Sequence, residues 1–383
     1  MTDSAFRWLF APDEATPQDG DAALMARALA EARRGVGRTA PNPPVGAVVV
    51  KDGAVVATGF HARAGERHAE VVALDAVAGQ VRGATLYVTL EPCTHHGRTP
   101  PCVDRVLAEG IARVVIGAAD PNPRVSGGGR AALRAAGVEA TLVESAELAR
   151  QAAALIAPFS SAMARARPWV VLKVAATLDG RVAAANGASR WITGSSARAL
   201  VHELRDAVDA VLVGSGTALA DDPALTVRDL PPRPDGGQRR DPRRVVVDGA
   251  LRCDARARVF GDRSLVIHST AAPFERQRAF DDAGVERIAA GVGPVELRAA
   301  LEALCARGVH SVLVEGGPGL AAALWRAQLV DELWWFSAPR VLGGDAVPAV
   351  GPLALGAPDE ATRIAVVGTR SFPDGDHLRV LLR

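Results

Sequence analysis

The chain has 383 residues, of which 49% are apolar and 23% are charged. At about 150 residues per domain this length predicts two or three domains, and the apolar fraction excludes a wholly disordered protein. The 44 basic and 43 acidic residues give a net charge of +1, which argues against a nucleic-acid or membrane surface that extends over the whole chain.

Cysteine content and hydropathy favour a cytoplasmic protein. Four cysteines are too few for a disulfide scaffold in a chain of this length. We expect no transmembrane helix, because no run of about 18 apolar residues is free of charged residues. The first twenty residues lack the basic start and long apolar core of a signal peptide, so we expect a flexible extension over residues 1–20.

Helix and strand patterns alternate in the first half of the chain. Asp21 can cap a helix that continues to about Arg34, and an Asp-Gly turn at Asp52-Gly53 joins two apolar runs into a β-hairpin. The pattern then predicts a helix over His68–Ala78, a strand over Thr85–Leu90, a helix to about Glu109, a strand over Arg113–Gly117, a helix after the glycine-rich loop at Ser126–Gly129, a strand over Val138–Val143 and a helix over Ala146–Ala164. This order predicts a sheet between two layers of helices in a domain at residues 21–166.

A second series of strands begins after Pro168, in a domain that we place at residues 167–383. The predicted strands are Trp169–Ala175, Ala210–Gly214, Arg244–Asp248, Ser264–His268, Ser311–Glu315 and Glu332–Ser337. The segment 228–243 is rich in proline, glycine and charge. Because the strands on either side of it resemble parts of one sheet, we predict a loop inside this domain.

A metal site is indicated by His68, Glu70, Cys93 and Cys102. One imidazole and two thiolates can bind zinc and leave a fourth position for water, which the metal converts to a hydroxide nucleophile near neutral pH. A carboxylate two residues after the histidine can move protons without binding the metal. This arrangement is typical of zinc deaminases, although eight residues separate the cysteines here instead of two.

Two less specific interpretations of the metal site remain open. A closed structural zinc site could take His61, His95 or His96 as its fourth ligand, or the cysteines could simply be buried. Neither interpretation gives a role to a glutamate beside the histidine ligand.

The second half carries weaker signals. A strand, a glycine turn and a helix start follow one another over Val312–Leu320, and Val213–Thr217 is similar but shorter. Such turns can hold a phosphate, but neither has the G-x-G-x-x-G spacing of a standard dinucleotide fold. Lys173, one of only two lysines, interrupts an apolar strand, where an ammonium group needs a partner; we expect Asp221 in that position, and a purely structural lysine is the alternative.

The motifs of both halves resemble a known family. The first half contains PNPPVGAVVVKDG, HARAGERHAE, TLEPCTHHGRTPPC and DPNPRVSGGG, and the second contains LKVAATLDGRVA, SRWITG, ALADDPALTVR and VEGGPGLAAALW. These runs resemble the bifunctional riboflavin-biosynthesis deaminase–reductase family, in which the eight-residue cysteine spacing is typical. The resemblance implies an α/β protein with an N-terminal cytidine-deaminase-like three-layer α/β/α domain, followed by a dihydrofolate-reductase-like α/β domain.

The resemblance also implies a role for individual residues, with Zn²⁺ and NADPH as cofactors. Zinc would be bound by His68, Cys93 and Cys102. The implied catalytic residues are Glu70, Lys173 and Asp221. The implied NADPH contacts are Ala175, Trp191, Thr217, Asp221, Gly249, Gly317, Pro318, Gly319, Leu320, Ala321, Ala322 and Ala323. The implied substrate contacts are Asn42, His61, Ser189, Arg205, Leu225, Arg228 and Glu315.

The implied activity has two steps. The 2-amino group of a phosphoribosylated diaminopyrimidinone is removed by hydrolysis, and the ribosyl group is then reduced to a ribityl chain by NADPH. We expect a small-molecule substrate, a homo-oligomer, and neither a nucleic-acid nor a membrane partner. The alternatives are a nucleic-acid-editing zinc deaminase with an appended domain, and a non-catalytic binding module stabilised by zinc.

Overall fold

The computed structural model of the chain describes residues 20–77, 79–95, 100–123, 125, 127–233 and 236–382. They divide into two compact units, 20–165 and 166–382. The expected N-terminal extension up to residue 19 lies outside the described residues, as do His96 and Ser126.

The first unit is built around a five-stranded sheet. Its strands are β1 Gly46–Lys51, β2 Ala54–Phe60, β3 Thr85–Leu90, β4 Arg113–Ala118 and β5 Glu139–Leu142. Its helices are α1 Gly20–Arg33, α2 Ala69–Asp75, α3 Cys102–Ala108, α4 Gly128–Ala135, α5 Ala146–Leu155 and α6 Ala157–Arg165. In the order β2-β1-β3-β4-β5, strand β1 is antiparallel to both of its neighbours, whereas β3, β4 and β5 are parallel.

Both faces of this sheet are covered by helices. Val49, Leu86 and Ile116 belong to a buried core that also contains residues of α2, α3 and α4. Because side chains alternate along a strand, the residues between them face the opposite side, where α1 and α5 contact each other and the sheet. The predicted three-layer α/β/α order is therefore confirmed.

Helix α2 lies unusually close to β2, and Gly59 permits this approach. A Cβ atom at Gly59 would lie 2.5 Å from the carbonyl oxygen of Ala69 and 2.6 Å from the backbone nitrogen of Ala73. Any other residue would push α2 away from the sheet. Since α2 begins next to His68 and carries Glu70, this contact fixes the position of both side chains.

Three predicted helices differ from the observed ones. The first begins at Gly20, so Asp21 lies in its first turn instead of capping it. The helix predicted over Ala146–Ala164 is wrong in its continuity, because Ile156 adopts φ −98° and ψ 7° at the end of α5, outside helical geometry. The helix predicted from His68 instead begins one residue later, with His68 in an extended conformation, and ends at Asp75. The predicted end at Ala78 lies outside the described residues.

The second unit contains a nine-stranded sheet and a separate two-stranded one. Its strands are β6 Trp169–Thr177, β7 Arg181–Ala183, β8 Ala210–Gly214, β9 Arg243–Val247, β10 Ser264–His268, β11 Glu286–Ala289, β12 Ser311–Val314, β13 Glu332–Ala338, β14 Val347–Pro348, β15 Ala365–Ser371 and β16 His377–Leu382. Its helices are α7 Ser195–Ala207, α8 Ser215–Asp221, α9 Phe274–Asp282, α10 Leu297–Cys305 and α11 Pro318–Arg326, and a short 3₁₀ helix lies at Pro358–Glu360.

The order of the large sheet is β11-β10-β9-β8-β12-β6-β13-β16-β15. Neighbouring strands are parallel as far as β13, and the last two are antiparallel additions. All six strands predicted here are present within two residues of the expected bounds. Between α8 and β9, the described residues of the segment 228–242 form no helix or strand, in agreement with the predicted loop inside the unit.

A buried ion pair holds the start of this unit in place. The guanidinium of Arg167 donates to both carboxylate oxygens of Asp331 at 2.6 and 2.8 Å, and each side chain is only 5% exposed. The same carboxylate accepts a hydrogen bond from the backbone N–H of Val170 at 2.9 Å. The residues that precede β6 and β13 are thereby joined.

Candidate active sites

The three predicted metal ligands come from three separate elements of the first unit. His68 immediately precedes α2, Cys93 lies in the loop after β3, and Cys102 is the first residue of α3. Pro101 precedes α3 with φ −56°, the value that the proline ring imposes and that starts a helix readily. Local chain geometry therefore directs residues that are up to 34 positions apart toward one point.

The donor atoms lie as close together as a zinc site requires. The Nδ1 atom of His68 is 3.1 Å from the Cys102 sulfur and 3.7 Å from the Cys93 sulfur. Zinc–ligand bonds of about 2.1–2.3 Å place tetrahedral donors about 3.6–3.8 Å apart. The His68–Cys93 separation matches this spacing and the His68–Cys102 separation is about 0.5 Å shorter; since all three donor atoms lie within 4.8 Å of one another, their types and their convergence fit a zinc ion.

The pKa values of the two thiols are shifted in opposite directions. A hydrogen bond from the Cys102 thiol is the main reason why the pKa of Cys93 falls well below its ordinary value, and the same bond raises the pKa of Cys102. The backbone N–H of Cys102 also donates to the Cys93 sulfur at 3.4 Å. Such a pair shares one proton, which a divalent cation can displace.

Glu70 lies in the first turn of α2, next to this ligand set. Its side chain is only 3% exposed. Burial raises the pKa of the Glu70 carboxyl above its ordinary value, against the opposing effect of His68. A carboxyl group that favours its protonated form more than usual, beside a metal site, is suited to proton transfer.

A cavity of about 310 Å³ opens onto His68, Glu70 and Cys93. The predicted substrate contacts Asn42 and His61 also line it, and the Asn42 amide nitrogen lies 3.1 Å from His61 Nε2. His61 Nδ1 lies 3.0 Å from the carbonyl oxygen of Arg67, and burial lowers the pKa of His61. A neutral imidazole that donates from Nδ1 and accepts at Nε2 satisfies both contacts and fixes the amide orientation.

Several residues of the cavity wall were not identified as site residues from the sequence, and four of them bear on the argument below or lie far from any motif. These four are Glu91, Asp120, Asn122 and Phe159. The first three lie inside motifs quoted above, TLEPC and DPNP. The motifs could have drawn attention to these residues, but their residue types alone did not indicate a catalytic or binding role. Phe159 belongs to α6, at a distance in sequence that no motif spans.

In the second unit, Lys173, Arg205 and Glu315 form one cluster. The Nζ atom of Lys173 lies 3.6 Å from a carboxylate oxygen of Glu315. Arg205 donates to both oxygens of the same carboxylate at 2.6 and 3.1 Å. Burial acts to raise the pKa of Glu315, but the charges of Arg205 and Lys173 outweigh it and lower that pKa to about 2.

The expected pairing of Lys173 with Asp221 is wrong. The structure pairs Lys173 with Glu315 instead. Strands β6 and β12 are parallel neighbours with Leu172 opposite Val314. Lys173 follows Leu172 and Glu315 follows Val314, so these two residues are also neighbours. The guanidinium of Arg190 is the cation beside Asp221, 3.9 Å from its carboxylate. Asp221 ends α8 with its side chain 39% exposed, so it remains accessible to a bound molecule.

The predicted glycine turn brings two helix starts together. The backbone N–H of Gly317, which precedes α11, donates to the Thr217 hydroxyl in α8 at 3.1 Å. A Cβ atom at Gly319 would meet no atom within 4 Å, so space is open above the turn. Further along α11, Ala321 and Ala322 are buried, and Ala321 packs in the core of the unit.

The other predicted reductase contacts occupy varied positions. Trp191 is 58% exposed and is stacked with the guanidinium of Arg198 at 4.6 Å. Leu225 is buried, and the Arg228 side chain is about half exposed. Three more predicted contacts are Ala175 on β6, Ser189 before α7 and Gly249 after β9.

Both units of the chain match known protein families. Residues 18–118 match the family model of the cytidine and deoxycytidylate deaminase zinc-binding region, and residues 168–377 match that of the RibD C-terminal domain. The riboflavin biosynthesis protein RibD of Escherichia coli (strain K12) is 42% identical over 85% of this chain and 89% of its own length. RibD of Aquifex aeolicus is 38% identical over 90% of this chain and 93% of its own length.

Solved structures of RibD proteins are similar to this chain as well. RibD of Acinetobacter baumannii has a TM-score of 0.84 and 36% identity, over 94% of this chain and 97% of its own. A diaminohydroxyphosphoribosylaminopyrimidine deaminase/5-amino-6-(5-phosphoribosylamino)uracil reductase from Thermotoga maritima has a TM-score of 0.80 and 36% identity, with the same coverage. Both similarities extend over nearly the whole chain.

Proposed function

Because the chain belongs to the RibD family of riboflavin biosynthesis proteins, it is a bifunctional deaminase and reductase, and we propose how its residues divide the two reactions. Its first reaction is hydrolytic deamination of a phosphoribosylated diaminopyrimidinone to 5-amino-6-(5-phosphoribosylamino)uracil, and its second is reduction of the ribosyl group to a ribityl chain. The observation that carries the assignment is the convergence of His68, Cys93 and Cys102, at a cavity that Glu70 lines together with His68 and Cys93.

The first unit carries the deamination. His68, Cys93 and Cys102 would hold zinc, which would supply the Lewis acidity that makes a water molecule nucleophilic at neutral pH. Glu70 takes a proton from that water and delivers one to the departing amine, because its carboxyl group adjoins the ligand set without being part of it. Asn42 and His61 orient the pyrimidine, since both line the cavity and hold each other in a fixed orientation.

The second unit carries the reduction, for which NADPH supplies the hydride. At the Gly317–Ala323 stretch, the backbone N–H groups of Gly319 and Leu320 in the first turn of α11 hold the cofactor phosphates, and Gly317, bonded to the Thr217 hydroxyl, and Pro318 shape the turn. Ala321, Ala322 and Ala323 support this site from within α11: the Ala321 N–H donates to the Gly317 carbonyl at 3.1 Å, and the side chains of Ala321 and Ala322 are buried. Ala175, Trp191, Asp221 and Gly249 complete the cofactor site, and Ser189 and Leu225 contact the substrate.

Lys173 and Glu315 lie at the reacting sugar, and either Lys173 or Asp221 provides the proton. The contacts of Arg205 favour a supporting role, because its guanidinium is bound to Glu315 and to the carbonyl oxygen of Thr226 at 3.0 Å. Arg228 is the better candidate for the ribose phosphate. Its guanidinium is about half exposed, and its planar donors match phosphate oxygens.

The partners of this protein are its small-molecule substrates. No helix in the described part of the chain is long and apolar enough to cross a bilayer. We place the protein in the cytoplasm as a homo-oligomer without a nucleic-acid partner. An editing deaminase is not favoured, because its single-stranded substrate calls for a basic groove with stacking aromatic residues, whereas the chain has one tyrosine and a net charge of +1.

Assays of the unmodified protein on each substrate test the proposed function. The zinc-loaded enzyme is given the diaminopyrimidinone without NADPH, and separately the deaminated pyrimidine with NADPH. We expect ammonia release in the first assay and NADPH oxidation in the second. Deamination of single-stranded DNA or RNA, with no ammonia from the pyrimidine, would contradict the assignment.

Replacing Lys173 with arginine is expected to slow the reduction at least about tenfold, although the positive charge is kept. Arg205 already binds both oxygens of Glu315, so a second planar guanidinium cannot replace the compact ammonium group there. The measurement is the rate of NADPH oxidation with the deaminated substrate. Lys51→Arg is the matched control, because Lys51 is the other lysine of the chain and lies in the β1–β2 hairpin. If the folded Lys173→Arg variant reduced the substrate at the control's rate, the role of Lys173 would be structural only.

A further inference from the structure

A buried carboxylate beside the zinc ligands has no part in the chemistry described so far. Glu91 follows β3, is 4% exposed and lines the deaminase cavity. Its side chain accepts hydrogen bonds from three backbone N–H groups, those of Asp120 at 3.2 Å, Gly127 at 3.0 Å and Arg130 at 2.9 Å. A buried carboxylate satisfied in this way connects segments of chain that are far apart in sequence.

These hydrogen bonds attach one wall of the cavity to Glu91. A single oxygen, Oε2, holds both Asp120 and Gly127, which lie between β4 and α4. Asp120 in turn accepts a hydrogen bond from the backbone N–H of Asn122 at 2.8 Å. Because the side chains of Asp120 and Asn122 both line the cavity, the position of this wall depends on the Glu91 carboxylate.

The other end of the connection packs against the metal-binding loop. A Cβ atom at Gly129, in the first turn of α4, would lie 2.1 Å from the carbonyl oxygen of Pro92 and 3.1 Å from Glu91 Cγ. Helix α4 therefore begins in direct contact with the residue that precedes Cys93. The partial positive charge at a helix start also favours the carboxylate that accepts from Arg130.

We propose that Glu91 is a positioning residue for the deamination, which holds the wall formed by Asp120 and Asn122 against the bound pyrimidine. The proposal rests on the deaminase function proposed above. A carboxylate is needed because both of its oxygens accept hydrogen bonds, whereas a glutamine amide would direct an NH₂ group at one of the N–H donors. Loss of this attachment weakens substrate binding in a cavity whose metal ligands are unchanged.

The test compares Glu91→Gln with Glu144→Gln, a matched change at an exposed glutamate of the same unit. For Glu91→Gln we expect KM for the diaminopyrimidinone to rise at least about tenfold, with kcat within about threefold of the unmodified enzyme. Zinc content is expected to equal that of the control. An unchanged KM would overturn the proposal, and so would loss of zinc, which would make Glu91 a support for Cys93 only.

A double-mutant cycle with Asn122→Ala separates this role from a general loss of stability. If Glu91 acts through the wall that carries Asn122, the second change adds little to KM once the first is present. Independent, multiplying effects on KM would contradict the proposal. Should Glu91→Gln fail to fold, Asn122→Ala alone decides, because an unchanged KM in that variant shows that the wall does not bind substrate. Absence of ammonia release by the unmodified enzyme would instead contradict the proposed function.

Discussion

Replacing Glu70 with glutamine is expected to reduce kcat for deamination by roughly 10²–10⁴, the usual contribution of a positioned general acid and base. The amide has almost the same shape as the carboxyl group but cannot take up and release the proton. Because Glu70 adjoins the ligand set and is not among the three converging donors, zinc content should stay the same. The measurements are ammonia release and metal analysis on the same preparation.

The reductase reaction provides the control for this variant. Glu70→Gln should oxidise NADPH normally when it is given the deaminated pyrimidine, since Glu70 and the reductase residues belong to different compact units. Asp221→Asn should show the reverse behaviour, with normal ammonia release and impaired reduction. If the folded Glu70→Gln variant released ammonia at nearly the normal rate, another group would have to move the protons.

The double variant Cys93→Ser/Cys102→Ser is expected to lose its zinc and to lower deamination to background. Serine hydroxyls do not form the thiolates that zinc binds, and His68 alone cannot hold the ion. The measurements are zinc per chain by elemental analysis and ammonia release. Cys305→Ser is the matched control, because Cys305 lies in α10 of the other unit and is half-buried. Full zinc content in the double variant would place the metal elsewhere.

The zinc site could be predicted from the sequence because its information is local. His68 and Glu70 are two residues apart, and the two cysteines flank one loop, so residue type and spacing were sufficient. The alternating strands and helices of the first unit were predictable for a similar reason, since both faces of its sheet are buried and the strands are strongly apolar. The break at Ile156 was missed although the sequence marks it: Pro158, two residues later, has no N–H to donate to the carbonyl four residues earlier and so interrupts the helix.

Contacts across the sheets carried the information that the sequence lacked. The pairing of Lys173 with Glu315 depends on the register of β6 against β12, which no local pattern determines. Strand β15 was missed because it is largely exposed at the sheet edge, and an exposed edge strand has no buried side to leave a hydrophobic pattern. Glu91 was missed because its partners are backbone N–H groups, which no residue type reveals.

The ion pair between Arg167 and Asp331 determines where a gene for this protein could be divided. The two compact units separate between Arg165 and Ala166, whereas the similarity to the RibD C-terminal domain begins at Pro168. A gene that started at Pro168 would omit Arg167. Asp331 would then be buried without the guanidinium that pairs with it, a change that typically costs about 3–5 kcal/mol of folding stability. An independently encoded reductase therefore has to include Arg167, so that the arginine that precedes its first strand is translated with the carboxylate it neutralises.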